Sequence, residues 1–285
     1  MEAKMKYSII TINYNNRDGL RRTIESVINQ TFTDYEYILI DGGSTDGSVD
    51  VIKEYKQHIN YWVSEPDKGI YNAMNKGIIV ANGEYVNFMN SGDTFYNNKV
   101  LSIVSEFVGG QDFIVGKDFH QNPITKEYAT TQLPIRKSMA MFYLQTIPHQ
   151  SAFIRRALFD GHPYDESLHI VADWKFYLDT IIVEGKTLQF IDTIICRREQ
   201  GGISVIRNDE TIEERREVLK DFLPIGINKD YESLSKLDPT TLYKLLNLCD
   251  DDKACKILVY VVKIIYRLRN IKKNIYTREL LHVGR

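Results

Sequence analysis

YSIITINYNNRDGLRRTIESVINQTFTDYEYILIDGGSTDGS, residues 7–48, decides how this chain folds. Tyr7–Asn13 is short, apolar and rich in β-branched side chains, which predicts a buried strand. Leu20, Ile24, Val27 and Ile28 then return at helical spacing behind Asp18, a suitable N-cap, and the pattern stops near Gln30. Tyr35–Ile40 reads as a second strand. Working outward, the alternation continues with a helix over 48–55, a strand over 61–63, a helix over 69–81 and a strand over 85–89. A helix over 100–108 and a strand over 113–115 follow. Repeated βα units predict an α/β fold whose central, mainly parallel (mixed) sheet is flanked by helices, with ligands at the carboxyl ends of the strands. After Gly116 the regularity breaks, leaving a strand over 151–154, an apolar-faced helix over 174–183, and a strand over 188–196 that runs into RREQGGIS.

The 285 residues allow one large α/β domain with an appendage, and 43% hydrophobic with 26% charged residues is a globular composition. A net charge of −2 hides an asymmetry: residues 253–285 hold nine Lys/Arg and one acidic residue, so the chain before them carries −10. Nucleic-acid binding favours a basic folded domain, so this distribution argues against it and points to anionic lipid or an acidic partner. Cys196, Cys249 and Cys255 show neither CxxC spacing nor an even count, which speaks against zinc and disulfides. Met1–Lys4 leads straight into a strand without a signal-peptide pattern, and a cytoplasmic location is expected. In KACKILVYVVKIIYRLRNIKKN, from Lys253 on, Lys263 interrupts the apolar run after six residues. A membrane span needs about 20 apolar residues, so this helical tail is expected to lie on a membrane surface or dock on a partner, a second copy included. Lys256, Lys263 and Arg267 would share one helical face.

Three acidic loops follow three successive strands: Asp41-Gly-Gly-Ser-Thr-Asp-Gly47, Glu65-Pro-Asp-Lys-Gly69 and Asn90-Ser-Gly-Asp93. In a doubly wound sheet they converge on one cleft. Carboxylates there can accept from a base imide or a ribose hydroxyl and can hold a hard cation through oxygen. The same residue types also form turns.

The ordered set YSIITINYN, YILIDGGSTDGS, EPDKGIYNAMNKGI and GEYVNFMNSGD resembles the nucleotide-binding half of family 2 glycosyltransferases, over roughly the first hundred residues. The resemblance implies the GT-A nucleotide-diphospho-sugar transferase fold, with a catalytic domain over 1–225 and a helical basic extension over 226–285. Residues 1–100 would be its nucleotide-binding half and 101–225 its acceptor half. It places Thr11 and Asn13 where the family's base contacts begin, Asp41 on the uracil imide, Asp67 and Lys68 beside base and ribose, and Ser91 in the nucleotide site. Asp93 matches the last carboxylate of the Asp-x-Asp region, which touches the divalent metal, Mn²⁺ or Mg²⁺, that bridges the donor phosphates. This chain departs from the family there, because Asn90, Ser91 and Gly92 leave Asp93 as the single acid. One carboxylate with phosphate and water oxygens still suffices for such ions.

Further echoes follow in the second half. His149 in Pro148-His-Gln-Ser151 resembles the family's histidine near the phosphates, a metal ligand or phosphate hydrogen-bond donor. Asp173 in Val171-Ala-Asp-Trp-Lys-Phe176 resembles the general base of inverting transfer, expected also to cap its helix, with Trp174 walling the acceptor site. Arg197, Arg198 and the run Gly201-Gly-Ile-Ser204 resemble the loop that closes over the diphosphate. The implied reaction moves a sugar from a nucleoside-diphosphate donor, UDP being the family's commonest nucleotide, to a saccharide or lipid-linked saccharide hydroxyl. Cell-surface polysaccharide or lipopolysaccharide synthesis is the expected setting. The turn Asn13-Tyr-Asn-Asn-Arg-Asp18 lacks the Gly-rich basic loop of a nucleotidyltransferase and the G-x-G-x-x-G of a dinucleotide enzyme. A non-catalytic sugar-nucleotide-binding or assembly protein stands as the rival from another class, and Asp173 argues against it.

Overall fold

A computed structural model describes residues 6–121, 126–131, 137–199, 207–234 and 251–265, together with Thr241, Leu245 and Leu248. The first half runs β1 (Tyr7–Asn13), α1 (Arg17–Ile28), β2 (Tyr35–Asp41), α2 (Ser48–Tyr55), β3 (Tyr61–Ser64), α3 (Ile70–Val80), β4 (Tyr85–Phe88), β5 (Thr94–Phe95) and α4 (Val100–Ser105). The second half adds β6 (Phe113–Gln121), β7 (Tyr128–Thr130), α5 (Met139–Leu144), β8 (Ala152–Arg155), α6 (Ala172–Tyr177), β9 (Leu188–Arg197), α7 (Asn208–Phe222) and α8 (Ile225–Leu234). Met1–Pro224 forms one compact unit and Ile225–Arg285 another.

Every residue of β1 is buried, as a central strand covered on both faces requires. It pairs in parallel with β2, from Tyr7 opposite Tyr35 to Asn13 opposite Asp41, and with β4 on its other side. Among the described residues the sheet runs β3-β2-β1-β4-β8-β6-β9-β5, with β7 on β6. The strand β8 is antiparallel to β4 and β6, and β5 is antiparallel to β9, so the sheet is mixed as expected. Side chains alternate between two cores. Tyr7, Ile9, Tyr37 and Leu39 pack with Leu20, Ile24, Val51 and Val104 of α1, α2 and α4. Ile10, Ile12, Ile38 and Ile40 pack with Met74, Phe142, Trp174 and Tyr177 of α3, α5 and α6.

Local details differ from the sequence reading. The N-cap of α1 is Asn16, whose side chain accepts from Gly19 N, and Asp18 sits inside the first turn. Asp173 likewise lies in the first turn of α6, behind Val171, and does not cap it. Beyond Tyr177 the helix widens into a π turn over Leu178–Val183. The strand expected over 113–115 continues to Gln121, because β9 pairs with it through two register shifts, and β5 escaped notice as a two-residue strand. Before β8, His149–Ser151 forms a short 3-10 turn.

Where α3 returns to β4, Gly83 lies against β1. A Cβ there would stand 2.5 Å from both Ser8 N and Tyr7 C, backbone atoms that cannot swing away. Gly83 N donates to Ser8 Oγ and to the buried Glu36, fixing the approach. Overpacking of this kind costs about 1–3 kcal/mol. Gly83→Ala is therefore expected to lower the urea-unfolding free energy by that amount, while Gly161→Ala, which meets nothing within 4 Å, leaves it nearly unchanged.

Candidate active site

The carboxyl ends of β1, β2, β3 and β4 open into a cleft of about 880 Å³ that reaches across to β6, α6, β9 and α7. Its floor is organised by Asp41, which is wholly buried. Oδ1 accepts from Asn13 Nδ2 at 2.7 Å and Ser44 Oγ at 2.6 Å; Oδ2 accepts from Ser64 Oγ at 2.6 Å and Ser44 N at 3.0 Å. Burial by itself pushes this carboxyl up, but the hydrogen bonds from Ser44, Ser64 and Asn13 outweigh it and leave its pKa below the ordinary value. Thr11 is buried as well, donating to Met89 O at 2.7 Å and meeting Tyr37 Oη at 3.0 Å. Neither residue lines the cleft; Asn13, Gly42 and Asp67 do. Asn13 Oδ1 is buried with no partner. Asp67 packs over Gly42, where a Cβ would come within 2.5 Å of its Oδ2. Lys68 is exposed and off the cleft wall, and its N donates to Asn72 Oδ1.

The loop after β4 brings Ser91 and Asp93 to the cleft. Asp93 is 6% exposed, with Oδ1 accepting from Glu199 N and Oδ2 from Gln150 Nε2, each at 2.7 Å. Burial pushes its carboxyl up, opposed first by the Glu199 N–H and the Gln150 amide, then by the charges of His149 and Arg198. Each oxygen keeps one lone pair. Among the described residues no three His, Cys, Asp or Glu side chains converge on a point fit for a metal ion. A cation here would have one protein carboxylate, Asp93, and would take its other ligands from phosphate and water, a set Mg²⁺ and Mn²⁺ accept.

His149 stands between the two halves. Its Nδ1 lies 3.1 Å from Asp173 Oδ2 and its Nε2 lies 3.0 Å from Asn90 Nδ2. With both nitrogens engaged, a role for His149 as metal ligand or phosphate donor would require the Asn90 contact to be exchanged. Asp173 Oδ1 accepts from Tyr71 Oη at 3.0 Å and Trp174 N at 2.8 Å. Oδ2, with His149 alone, retains a lone pair in the cleft. Trp174 lines the cleft while being 1% exposed, and its Nε1 donates to Phe142 O at 2.6 Å, so one indole serves both core and cleft.

The arginine pair divides. Arg198 lines the cleft with its Nε 3.2 Å from the buried Asp118. Arg197 does not line it; its guanidinium lies 4.9 Å over Phe119 and 5.8 Å over Tyr96. The run Gly201–Ser204 lies outside the described residues. Among the cleft residues that sequence reasoning gave no role are Tyr14, 67% exposed at the lip; Tyr71; Glu199, which meets Arg22 and Asn16; and Arg215 of α7. Only Tyr14, an aromatic beside the end of β1, carried a local signal.

The description "Glycosyl transferase family 2" matches residues 8–163. An uncharacterised glycosyltransferase of Mycobacterium tuberculosis is 34% identical over 226 residues, 74% of this chain and 82% of that protein. A PGL/p-HBAD biosynthesis glycosyltransferase of Mycobacterium bovis is 27% identical, over 72% of this chain and 80% of its own. Among solved structures, S. aureus TarS 1-349 in complex with UDP-GlcNAc superposes with a TM-score of 0.58 at 18% identity, over 71% of this chain and 61% of that one. The mannosyltransferase PcManGT from Pyrobaculum calidifontis, in complex with GDP-Man and Mn²⁺, gives 0.61 at 13% identity, over 92% and 81%. These likenesses establish the GT-A fold for the sheet and its helices.

Because the folded pKa of Asp41 is depressed, its stabilisation is present above the unfolded carboxyl value and is lost as pH falls through the folded one. Asp41→Asn replaces an acceptor by a hydrogen-bond donor facing hydroxyls and is expected to cost about 1–3 kcal/mol at pH 7. That gap should shrink as pH drops below 4, where protonated Asp41 loses the same acceptor (about 3.9 unfolded); urea titrations of both proteins across pH check it.

Proposed function

The chain belongs to glycosyl transferase family 2, and from that premise we propose that it moves a sugar, with inversion, from a UDP-sugar to an acceptor hydroxyl in cell-surface polysaccharide or lipopolysaccharide synthesis. One observation carries this reading: Asp93 and Asp173 line the same cleft, with His149 linking Asp173 to the Asn90 end of the Asp93 loop. Inversion needs a base on one side of the anomeric carbon and charge stabilisation on the other, and the two carboxylates suit those separate tasks.

In this mechanism the acceptor hydroxyl gives its proton to Asp173 Oδ2 as its oxygen forms the bond to the anomeric carbon. The bond to the nucleoside diphosphate breaks, and the electron pair leaves with the phosphate. Tyr71 and Trp174 N hold Oδ1, and the His149 Nδ1–H holds Oδ2 on its other side, so the open lone pair is aimed by three contacts. Asn13 Oδ1 offers an unpaired acceptor to a base N–H, and Tyr14 offers a face on which a base can stack. Asp41 would act by fixing Asn13, and Asp67 lies where a ribose would sit beside Gly42. Arg198, held by Asp118, supplies positive charge near Asp93. A divalent ion on Asp93, when bound, would neutralise charge on the leaving diphosphate.

UDP rather than another nucleotide is supported by the UDP-GlcNAc bound to TarS, whereas PcManGT carries GDP-Man. A thermal-shift panel of UDP- and GDP-sugars with and without Mn²⁺ is expected to show stabilisation by a UDP-sugar that depends on the metal and vanishes in Asp93→Ala. Metal-independent stabilisation by GDP-sugars alone would refute the assignment. For the base, Asp173→Asn keeps size but removes basicity. Transfer should fall about 10²–10⁴-fold at unchanged UDP-sugar affinity; a rate near wild type would return Asp173 to a structural role.

The C-terminal unit supports a peripheral membrane reading. Residues 252–265 are helical, Ile257, Tyr260, Val262 and Ile265 are each more than half exposed, and no described helix is long and apolar enough to cross a membrane. Arg267, the third member of the expected basic face, lies outside the described residues. The protein should sediment with vesicles containing phosphatidylserine, less so as salt rises, and truncation after Asp252 should abolish it.

A further inference from the structure

Arg215 is a cation in the cleft with no hydrogen-bonded or ion-paired anion among the described residues; the charge of Asp173 reaches it only through space. Its Nε is buried without a partner. Its neighbours differ: Arg198 has Asp118, Arg22 has Glu199, and Lys175 has Asp165 and Asp179. The guanidinium is nevertheless held in place. It stacks 5.0 Å over the Trp174 ring, and the preceding Glu214 grips the loop leading to Asp173, accepting from His169 N and Ile170 N at 2.8 Å and Val171 N at 3.2 Å. A guanidinium stays charged under all ordinary conditions, and a fixed, partly buried charge is costly unless something pairs with it.

Its position says which substrate would do so. Arg215 rests on the residue next to Asp173, the proposed base, whereas the Asp93 side of the cleft already has Arg198. We propose that Arg215 binds an oxyanion, phosphate or carboxylate, on the acceptor, so that the acceptor is a negatively charged saccharide or a sugar close to a phosphate linkage. The proposal rests on the transferase reading above for its assignment to the acceptor. Its chemistry is that of a planar fork matching two oxygens of a phosphate or carboxylate, which places the neighbouring hydroxyl at Asp173.

Isothermal titration of the full chain, saturated with UDP and Mn²⁺, with glucose 6-phosphate, glucuronate and glucose tests this. At least one charged sugar should bind about ten- to a hundredfold more tightly than glucose, as a charge-assisted hydrogen bond implies. The phosphate and carboxylate arms separate the two sources of the anion. Arg215→Gln should reduce the charged sugar to the level of glucose, and Arg215→Lys should keep part of the preference. Unchanged UDP affinity in both variants shows that each is folded. Wild type without charge preference, or a preference that survives in Arg215→Gln, overturns the proposal. Loss of UDP binding in folded Arg215→Gln, judged by an unchanged melting temperature, also overturns it by assigning the arginine to the donor. Repeating the titrations without nucleotide separates the two readings: if UDP never binds, the transferase reading fails, while the comparison of charged with neutral sugar still reports on Arg215.

Discussion

The carboxylate of Asp41 ties three strand ends and one loop into a single rigid floor, and the β1–β3 side of the cleft stands on it. Burying a charge is costly unless its lone pairs are filled, and Asn13, Ser44 and Ser64 fill them. The consequence is geometric. Asn13, whose amide is spent on Asp41 and Ser44, must turn its remaining oxygen away from them, and Gly42 must stay bare so that Asp67 can pack down.

The same device closes the other half. Asp93 is held by an amide on the β8 side and a backbone N–H after β9, which pins the loop after β4 to two strands that arrive much later in the chain. His149 then spans from Asn90 to Asp173. The Gln150 amide would otherwise be buried unpaired, and the part-buried contacts of Glu199 N and His149 join it in one network, so moving one element exposes a cost in another. Rigidity of this kind keeps Asp93 and Asp173 at fixed separation, which the proposed displacement would need.

The thinned acidic motif takes on a different meaning in three dimensions. Asn90 replaces a carboxylate where the family usually has more acid, yet it is not idle: its amide meets His149, and through it Asp173. A second acid does approach, from Glu199, but it turns to Arg22 and Asn16. Near the loop after β4, one carboxylate, Asp93, therefore remains for a cation, as Glu199 is taken by Arg22 and Asn16.

Local pattern fixed the β1–β4 alternation, the loops at its strand ends and the family likeness, because apolar periodicity and turn chemistry act over a few residues. It reached Asp93, His149 and Asp173 for the same reason, each lying in a contiguous motif. Arg197 and Arg198 were inseparable in sequence; strand alternation at the end of β9 separates them, sending one to aromatic rings and the other to the cleft. Tyr71 and Glu199 sit inside stretches quoted for their neighbours and Arg215 in none, and their part in the cleft is not legible there, since it depends on contacts spanning 102 residues in the Tyr71–Asp173 pair and 183 in the Asn16–Glu199 pair. Only packing of α3, α7 and the segment after β9 around one cleft decides which charges find hydrogen-bonded partners and which, like Arg215, lie in the cleft without one.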